Sequence, residues 1–507
     1  MKRTKHSLSH FRNTTFNMGE LVPISVIETL PGDSIQMASS LLIRTSPLLA
    51  PVMHPVHVRV HHWFVPHRLV WTDWQNFITG GADGLNASTF PTITPNTGSG
   101  YAVGSLADYL GVPTGVDDLP HSAIPFRAYS LIWNEFYRDP VLQTALTIDL
   151  TDGADTTTNI TLQNVCWEKD YFTSARTSPQ LGTAVTMPLG TSAVVKPSAS
   201  RLLTGAQPDG MTLYQMDDGD VAASTASLVM GNGVAEFYGG AVSATAAGAA
   251  LYPGNLYADL STATAATINQ LRENFAIQTF LERRARYGPR YSEYLRSLGV
   301  MSSDARQQRP IYLGGGRQTI QFSEVLQTGV TTSGTPSTGV GSLLGHGIGA
   351  MRSNRFRYFF EEHGYIISLV SVLPKTMYVN GLPRHWSRST KYDFWQQEFQ
   401  HIGQQAVLNK EVYWAHATPN GTFGYQDRYD EYRRHESSVH GDFRSTLNMW
   451  HLGRIFSSDP ALNAAFVSSN PATRIFQSTS ADQLYVMAMN SVQARRLVAK
   501  EGTSSNL

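Results

Sequence analysis

The densest apolar segment of this 507-residue chain, Tyr365 to Leu373, is only nine residues long. Nine residues fill one β-strand and fall far short of the ~20 that a membrane-spanning helix needs. The run therefore predicts a central strand over Gly364 to Leu373, buried on both faces, and a soluble product with no membrane insertion. Elsewhere apolar and polar residues alternate. Val56, Val58 and Val60 alternate with His57, Arg59 and His61, which predicts a half-buried strand over Val56 to Val65. Strand patterns also cover Ser34 to Arg44, Gln318 to Leu326 and Arg355 to Phe360, where Phe356, Tyr358 and Phe360 oppose Arg355 and Arg357.

Helical spacing is rarer. It predicts a short helix over Trp71 to Ile78 and a better one over Ile124 to Tyr137. In the latter Ile124, Ala128, Leu131, Ile132, Glu135 and Phe136 share a face, and Pro125 sits where a first-turn proline is tolerated. A long helix is expected over Ile268 to Arg286 with Leu271, Phe275 and Leu281 inward, stopped by Gly288-Pro289, and a short one over Tyr291 to Leu298. No period of 20 to 50 residues suggests a solenoid or propeller. Separated strands with large excursions between them point to a β-sandwich or jelly roll whose loops carry most of the mass.

Composition agrees, since charged residues make up 15% of the chain while Gly numbers 42 and Pro 25. Formal net charge is zero, so any attraction to nucleic acid must be local. Cys166 is the single cysteine, which excludes an internal disulfide and a Cys-cluster metal site and suits a reducing compartment. The basic start, Met1-Lys-Arg-Thr-Lys-His, leads into polar residues and not into an apolar run of signal-peptide length. Residues 1–20 read as a mobile arm carrying Lys2, Arg3, Lys5 and Arg12.

Between Leu181 and Thr267 the chain changes character. Of these 87 residues 46 are Ala, Gly, Ser or Thr, none is Trp, and only Lys196 and Arg201 are basic. This division gives a scaffold over 21–180 and 268–507 and a variable insertion over 181–267. The insertion keeps Leu202, Leu203, Val229, Phe237, Tyr238, Leu251, Tyr252 and Tyr257, more anchors than a flexible linker needs. Its lack of basic residues fits an exposed projection better than a surface facing nucleic acid.

Catalytic and metal chemistry find no support. His54, His57, His61, His62 and His67 cluster in sequence, but strand alternation turns His62 away from His57 and His61, and no carboxylate lies within the segment. Ordinary sheet or interface histidines are expected. Gly345-His-Gly-Ile-Gly349 lacks the spacing and the following Lys-Ser or Lys-Thr of a phosphate loop and reads as a flexible loop. Asp217-Asp-Gly-Asp220 reads as a solvated acidic turn. No metal and no cofactor is expected. Arg283, Arg284, Arg286 and Arg290 with Tyr287 and Tyr291, and Arg352, Arg355 and Arg357 with Phe356 and Tyr358, have the mixture that binds single strands. Helix-end and amphipathic-strand roles explain both clusters more simply.

Phe423-Gly-Tyr-Gln-Asp-Arg-Tyr-Asp-Glu-Tyr-Arg433, continuing through Gly441 to Ser445 and Trp450-His-Leu452, resembles the major capsid protein of the gokushoviruses, small single-stranded DNA bacteriophages of the Microviridae. Similar blocks stand at Val65 to Trp71, Pro125 to Glu135, Lys169 to Ser174, Asp304 to Pro310, Phe322 to Gln327, Glu362 to Ile367 and Gln405 to Glu411. The blocks run through nearly the whole chain, failing from about Gly182 to Thr267 and weakening over 86–120, 141–163 and 457–483.

The resemblance implies an eight-stranded antiparallel viral jelly roll with long, partly helical insertions. It implies self-assembly through pentamers into the smallest (T=1) icosahedral shell, assembled in the bacterial cytoplasm around a circular genome. The variable insertion would project near the threefold axes. The partners implied are further copies of the chain, viral single-stranded DNA, scaffolding and pilot proteins, a small basic DNA-binding protein and a host receptor. Lys2, Arg3, Lys5 and Arg12 are the DNA-contact candidates, and Tyr425, Arg428, Tyr429, Tyr432, Arg433 and Trp450 the subunit-interface candidates. The competing reading is a carbohydrate-binding or metal-dependent jelly-roll enzyme.

Overall fold

Eight long strands, mostly alternating or wholly apolar, build the scaffold: β1 (His10–Phe16), β2 (Val22–Thr29), β3 (Ser34–Thr45), β4 (Val56–Pro66), β5 (Ile311–Leu326), β6 (Leu343–Arg352), β7 (Gly364–Pro374) and β8 (Leu484–Arg496). The structure, a computed structural model, describes residues 3–82, 85–95, 98–180, 308–326 and 343–500, a helix over 268–287, short strands within 194–259 and a few isolated positions. All strand pairings are antiparallel and follow the path β1-β8-β3-β6-β5-β4-β7-β2. Strand β5 links two four-stranded sheets, because Ile311–Ile320 pair with β4 and Gln321–Leu326 pair with β6. The sheets β1-β8-β3-β6 and β5-β4-β7-β2 form a jelly-roll sandwich.

The sandwich interior explains the alternation. Leu41, Ile43, Val486 and Ala488 from the first sheet meet Val56, Val58, Val60, Val370 and Val372 from the second. Burying such a side chain contributes ~1.5 to 3 kcal/mol, and a one-residue slip would turn a whole strand's set outward, so the interior fixes the register. The other face of the second sheet is covered by the helix α3 (Ile124–Phe136), which follows two short helices, α1 (Trp74–Thr79) and α2 (Leu106–Leu110). Phe126, Tyr129, Ile132 and Trp133 of α3 pack with Trp63, Val65, Ile367 and Leu369. Strand β7 is buried on both faces because it lies between two cores, and its two serines, Ser368 and Ser371, are buried with it.

A fully buried ion pair anchors α3: Arg127 Nε donates to Asp155 Oδ2 at 2.8 Å, and its other nitrogens donate to the carbonyls of Val70 and Thr151 at 3.1 Å each. Burial pushes the Asp155 carboxyl up, but hydrogen bonds from Thr158 and Arg127 outweigh it and hold the group below its ordinary 3.8.

Four expectations need correction. Gly345 to Gly349 is not a flexible loop but the middle of β6, with Gly345, Gly347 and Gly349 on the buried side. Glycine is needed there for space: a Cβ on Gly345 would lie 2.4 Å from the Ala50 carbonyl oxygen, and one on Gly347 2.7 Å from Thr45 Cγ2. The N-terminal stretch is not loose, because Thr4–Ser7 and β1 both pair along β8. The helix expected from Trp71 begins at Trp74, and Trp71 itself is buried against Trp74 and Phe77. The long helix α4 (Ile268–Tyr287) forms, but Phe275 is 64% exposed and not inward. Tyr291 to Leu298 and Asp217 to Asp220 fall largely or wholly outside the described residues.

The chain divides into two compact units, residues 1–181 with 282–507, and Gly182–Leu281. Within the second unit three antiparallel pairs are nested in sequence: Val194–Pro197 with Leu256–Asp259, Leu213–Gln215 with Leu251–Pro253, and Ser227–Gly231 with Val234–Tyr238. Nested pairing is the mark of a folded β-ribbon. Val229, Phe237, Tyr238, Leu251, Tyr252 and Tyr257 lie on it, whereas Leu202 and Leu203 are outside the described residues.

Candidate functional surfaces

The histidines of β4 and its flanks are each engaged separately. His54 Nε2 bonds the Lys375 carbonyl at 2.7 Å, His57 meets Thr319 Oγ1 at 3.1 Å, and His61 meets the Tyr137 hydroxyl at 2.7 Å. His62 faces the sandwich interior between Ser368 and Ser353, and the His67 ring packs on Trp74. Burial lowers His54, His61, His62 and His67 to about 4, so these rings are neutral near pH 7. For His57 burial is joined by the charges of Arg317, Arg59 and Lys375. Those three cations share the Glu168 carboxylate. Among the described residues no group of three or more His, Cys, Asp or Glu is placed to hold a metal ion.

The outer face of the first sheet is different in kind. No Asp or Glu occurs in Thr4–Ser7, β1, β3, β6, Phe356–Phe359 or β8. The register lays three rungs across four strands: Phe11, Met489, Ser40 and Arg352; Asn13, Met487, Leu42 and Ala350; Thr15, Tyr485, Arg44 and Ile348. Directly opposed residues point to the same side of a sheet. Two further rows place Lys5 beside Arg495 and align Ser7, Gln493, Gln36 and Arg357. Phe11, Tyr485, Met487 and Ile348 are exposed on this face. Lys5, Arg44, Arg352, Arg357 and Arg495 carry no ion pair among the described residues.

The four N-terminal candidates are thereby separated. Lys2 lies outside the described residues. Arg3 stacks over Phe359 at 4.8 Å and Lys5 joins the basic face. Arg12 points the other way, donating to the Tyr109 carbonyl at 2.5 Å and the Pro23 carbonyl at 3.4 Å. Burial lowers its pKa, partly offset by Asp108. Of the basic clusters read in the sequence, Arg352 and Arg357 reach this outer face, where Asp482 accepts from Thr15 Oγ1 beside the third rung, whereas Arg286 lies 3.5 Å from Asp427. Arg290 and Tyr291 are outside the described residues. Arg44, Tyr485 and Arg495 were missed; the run of strands without a carboxylate was the available signal.

Most of the interface candidates brace another segment. Tyr429, with φ at 64°, is buried; its hydroxyl donates to the Phe394 carbonyl and accepts from Gln396 N–H. The Tyr432 hydroxyl accepts from Trp395 N–H at 3.3 Å, and Arg388 lies 4.3 Å from the Tyr432 ring centre. Arg428 lies over Phe399 and Tyr429 and donates to the Tyr392 carbonyl. Arg433 donates to the Arg428 carbonyl at 3.2 Å. Tyr425 pairs through its backbone with Arg176, and the Trp450 carbonyl accepts from Met53 N–H, so these two serve other joints.

Comparison with known proteins fits this picture. The family model described as capsid protein (F protein) matches residues 1–505. The capsid protein VP1 of Bdellovibrio phage phiMH2K is 39% identical over 92% of this chain and 88% of its own length. Capsid protein VP1 of Chlamydia phage 1 is 34% identical, covering 93% and 90%, and that of Spiroplasma virus 4 is 32% identical, covering 92% and 88%. A jelly-roll scaffold and a match over nearly the whole length lead to one assignment: the chain belongs to the capsid protein (F protein) family of the microviruses and is a structural major capsid protein.

Proposed function

We propose that this capsid protein forms a T=1 icosahedral shell around a circular single-stranded DNA genome, and that the basic outer face of the β1-β8-β3-β6 sheet looks inward at that genome. The observation that carries the reading is the five outward cations Lys5, Arg44, Arg352, Arg357 and Arg495 laid among Phe11 and Tyr485 in strands that contain no acid. Guanidinium groups meet phosphates while rings stack on bases, so the face is sequence-tolerant, as a shell enclosing a whole genome requires. Arg3, over the Phe359 ring, extends the face, while Lys2 lies outside the described residues. Arg12 is committed to backbone carbonyls and contributes through the strand it holds.

The rest of the reading follows. Pentamers assemble in the bacterial cytoplasm with scaffolding and pilot proteins, and a small basic protein supplies charge that a net-neutral chain lacks. Modest contacts repeated by closed symmetry support one another, and no catalysis is required. The insertion over 181–267 projects near the threefold axes and faces the host; its few basic residues support that side. Electron microscopy of the product expressed with its phage partners tests the proposal. Closed particles holding nuclease-protected single strands, first cut by protease within 181–267, are expected. Monomers only, at every concentration and with every partner, would refute it.

A further inference from the structure

The segment 386–402 presents large apolar side chains that its own fold does not cover. Trp386 is 72% exposed, Tyr392 56%, Trp395 52% and Ile402 58%, with Phe394 half exposed between them. Looseness does not explain the exposure. Asp393 accepts from the Ser389 and Thr390 N–H groups and from the Thr390 hydroxyl, closing the turn from below. Tyr429, Tyr432 and Arg428 then hold the backbone of residues 392–396 by four hydrogen bonds, and Arg388 is fixed between the Phe394 and Tyr432 rings and Glu431. The backbone is satisfied and held while the rings point to solvent.

We propose that this braced aromatic platform is a contact between copies of the chain, docking on a neighbouring subunit in the shell. The proposal rests on the shell-subunit reading above. Two tryptophans with their neighbours present several hundred Å² of apolar surface, at the upper end of what a monomer exposes. Trp, Tyr and Arg dominate the energetic centres of protein interfaces, and side chains fixed beforehand lose little entropy on docking. Nucleic acid is the poorer occupant, because Asp393, Glu398 and Glu431 lie within or behind the platform, whereas unpaired cations predominate on the basic sheet face. A second copy is the occupant a shell supplies at the highest local concentration.

Hydroxyl-radical footprinting of the wild-type chain tests this without a variant. Oxidation of Trp386 and Trp395 is expected to fall several-fold between free subunits and closed particles. Equal oxidation in both would overturn the platform and leave the shell reading intact. Protection only while another phage protein is bound, lost in finished shells, would also overturn it. The variant Trp386→Ser with Trp395→Ser is expected to keep the wild-type melting temperature and lose particle yield; full yield would count against the proposal. If the wild-type chain forms no particles, the shell reading fails and this contact fails with it.

Discussion

The sharpest prediction concerns the salt dependence of DNA binding at the basic sheet face. For single strands log K falls with log salt at about 0.7 per phosphate neutralised, so five engaged cations give a slope of about −3.5. Replacing Arg44 and Arg352, which lie on the third and first of the three rungs, in β3 and β6, by Gln should reduce the slope to about −2.1. Between about 50 and about 200 mM salt the wild type then loses about 130-fold in affinity and the double variant about 18-fold. Fluorescence anisotropy of a labelled oligothymidine titrated with purified subunits measures both slopes. Replacing Phe11 and Tyr485 by Ala should weaken binding by ~1 to 3 kcal/mol per lost stack without changing the slope. Lys410→Gln, at a hydrogen bond to Asn420, is the control. An unchanged slope in the arginine variant would refute the assignment of this face to DNA.

Further expectations concern stability. Asp155→Ala leaves the Arg127 guanidinium buried without its partner and should cost ~3 to 5 kcal/mol, part of which the double variant with Arg127→Met recovers; denaturant unfolding of the free subunit reads both. Gly347→Ala places a Cβ 2.7 Å from Thr45 Cγ2 and 2.9 Å from Phe322 Cε1, whereas the nearest atom to a Cβ on Gly349 is at 3.4 Å. The first should lose ~1 to 3 kcal/mol through overpacking and the second clearly less, by thermal melting. The buried histidines set an acid limit. With folded values of about 4 against an ordinary 6.5, their contribution is complete above 6.5 and is lost as pH falls toward 4. Melting temperature should therefore drop between about pH 7 and about pH 5, and His62→Asn should make that drop shallower.

Much of the scaffold was legible because its signals are local. The valine alternation of β4, the largely apolar, doubly buried β7 and the shared face of α3 each follow from one stretch of residues meeting one or two cores. What escaped was set by distant neighbours. Strand β6 reads as coil because glycine usually marks turns, yet here Ala50, Thr45 and Phe322 leave no room for side chains. The basic face was hidden in a net charge of zero. Lys5 and Arg495 lie far apart in sequence and become neighbours only through the pairing of Thr4–Ser7 with β8. Tyr425 to Arg433 stood out as a conspicuous aromatic-basic run, but sequence could not tell displayed rings from those that do the bracing.

The excursion over residues 67–310 leaves from β4 and returns into β5, and these strands are hydrogen-bonded neighbours, with Phe64 opposite Ile311. Its two ends are thus a strand spacing apart whatever lies between them. Because closing a flexible loop costs only about 0.6 kcal/mol more per doubling of its length, residues can be added or exchanged in the parts of such an excursion that do not pack on the sheet, with little penalty to the sandwich. If the insertion faces the host as proposed, the jelly roll works as a socket, whose presented part can change while the scaffold is kept.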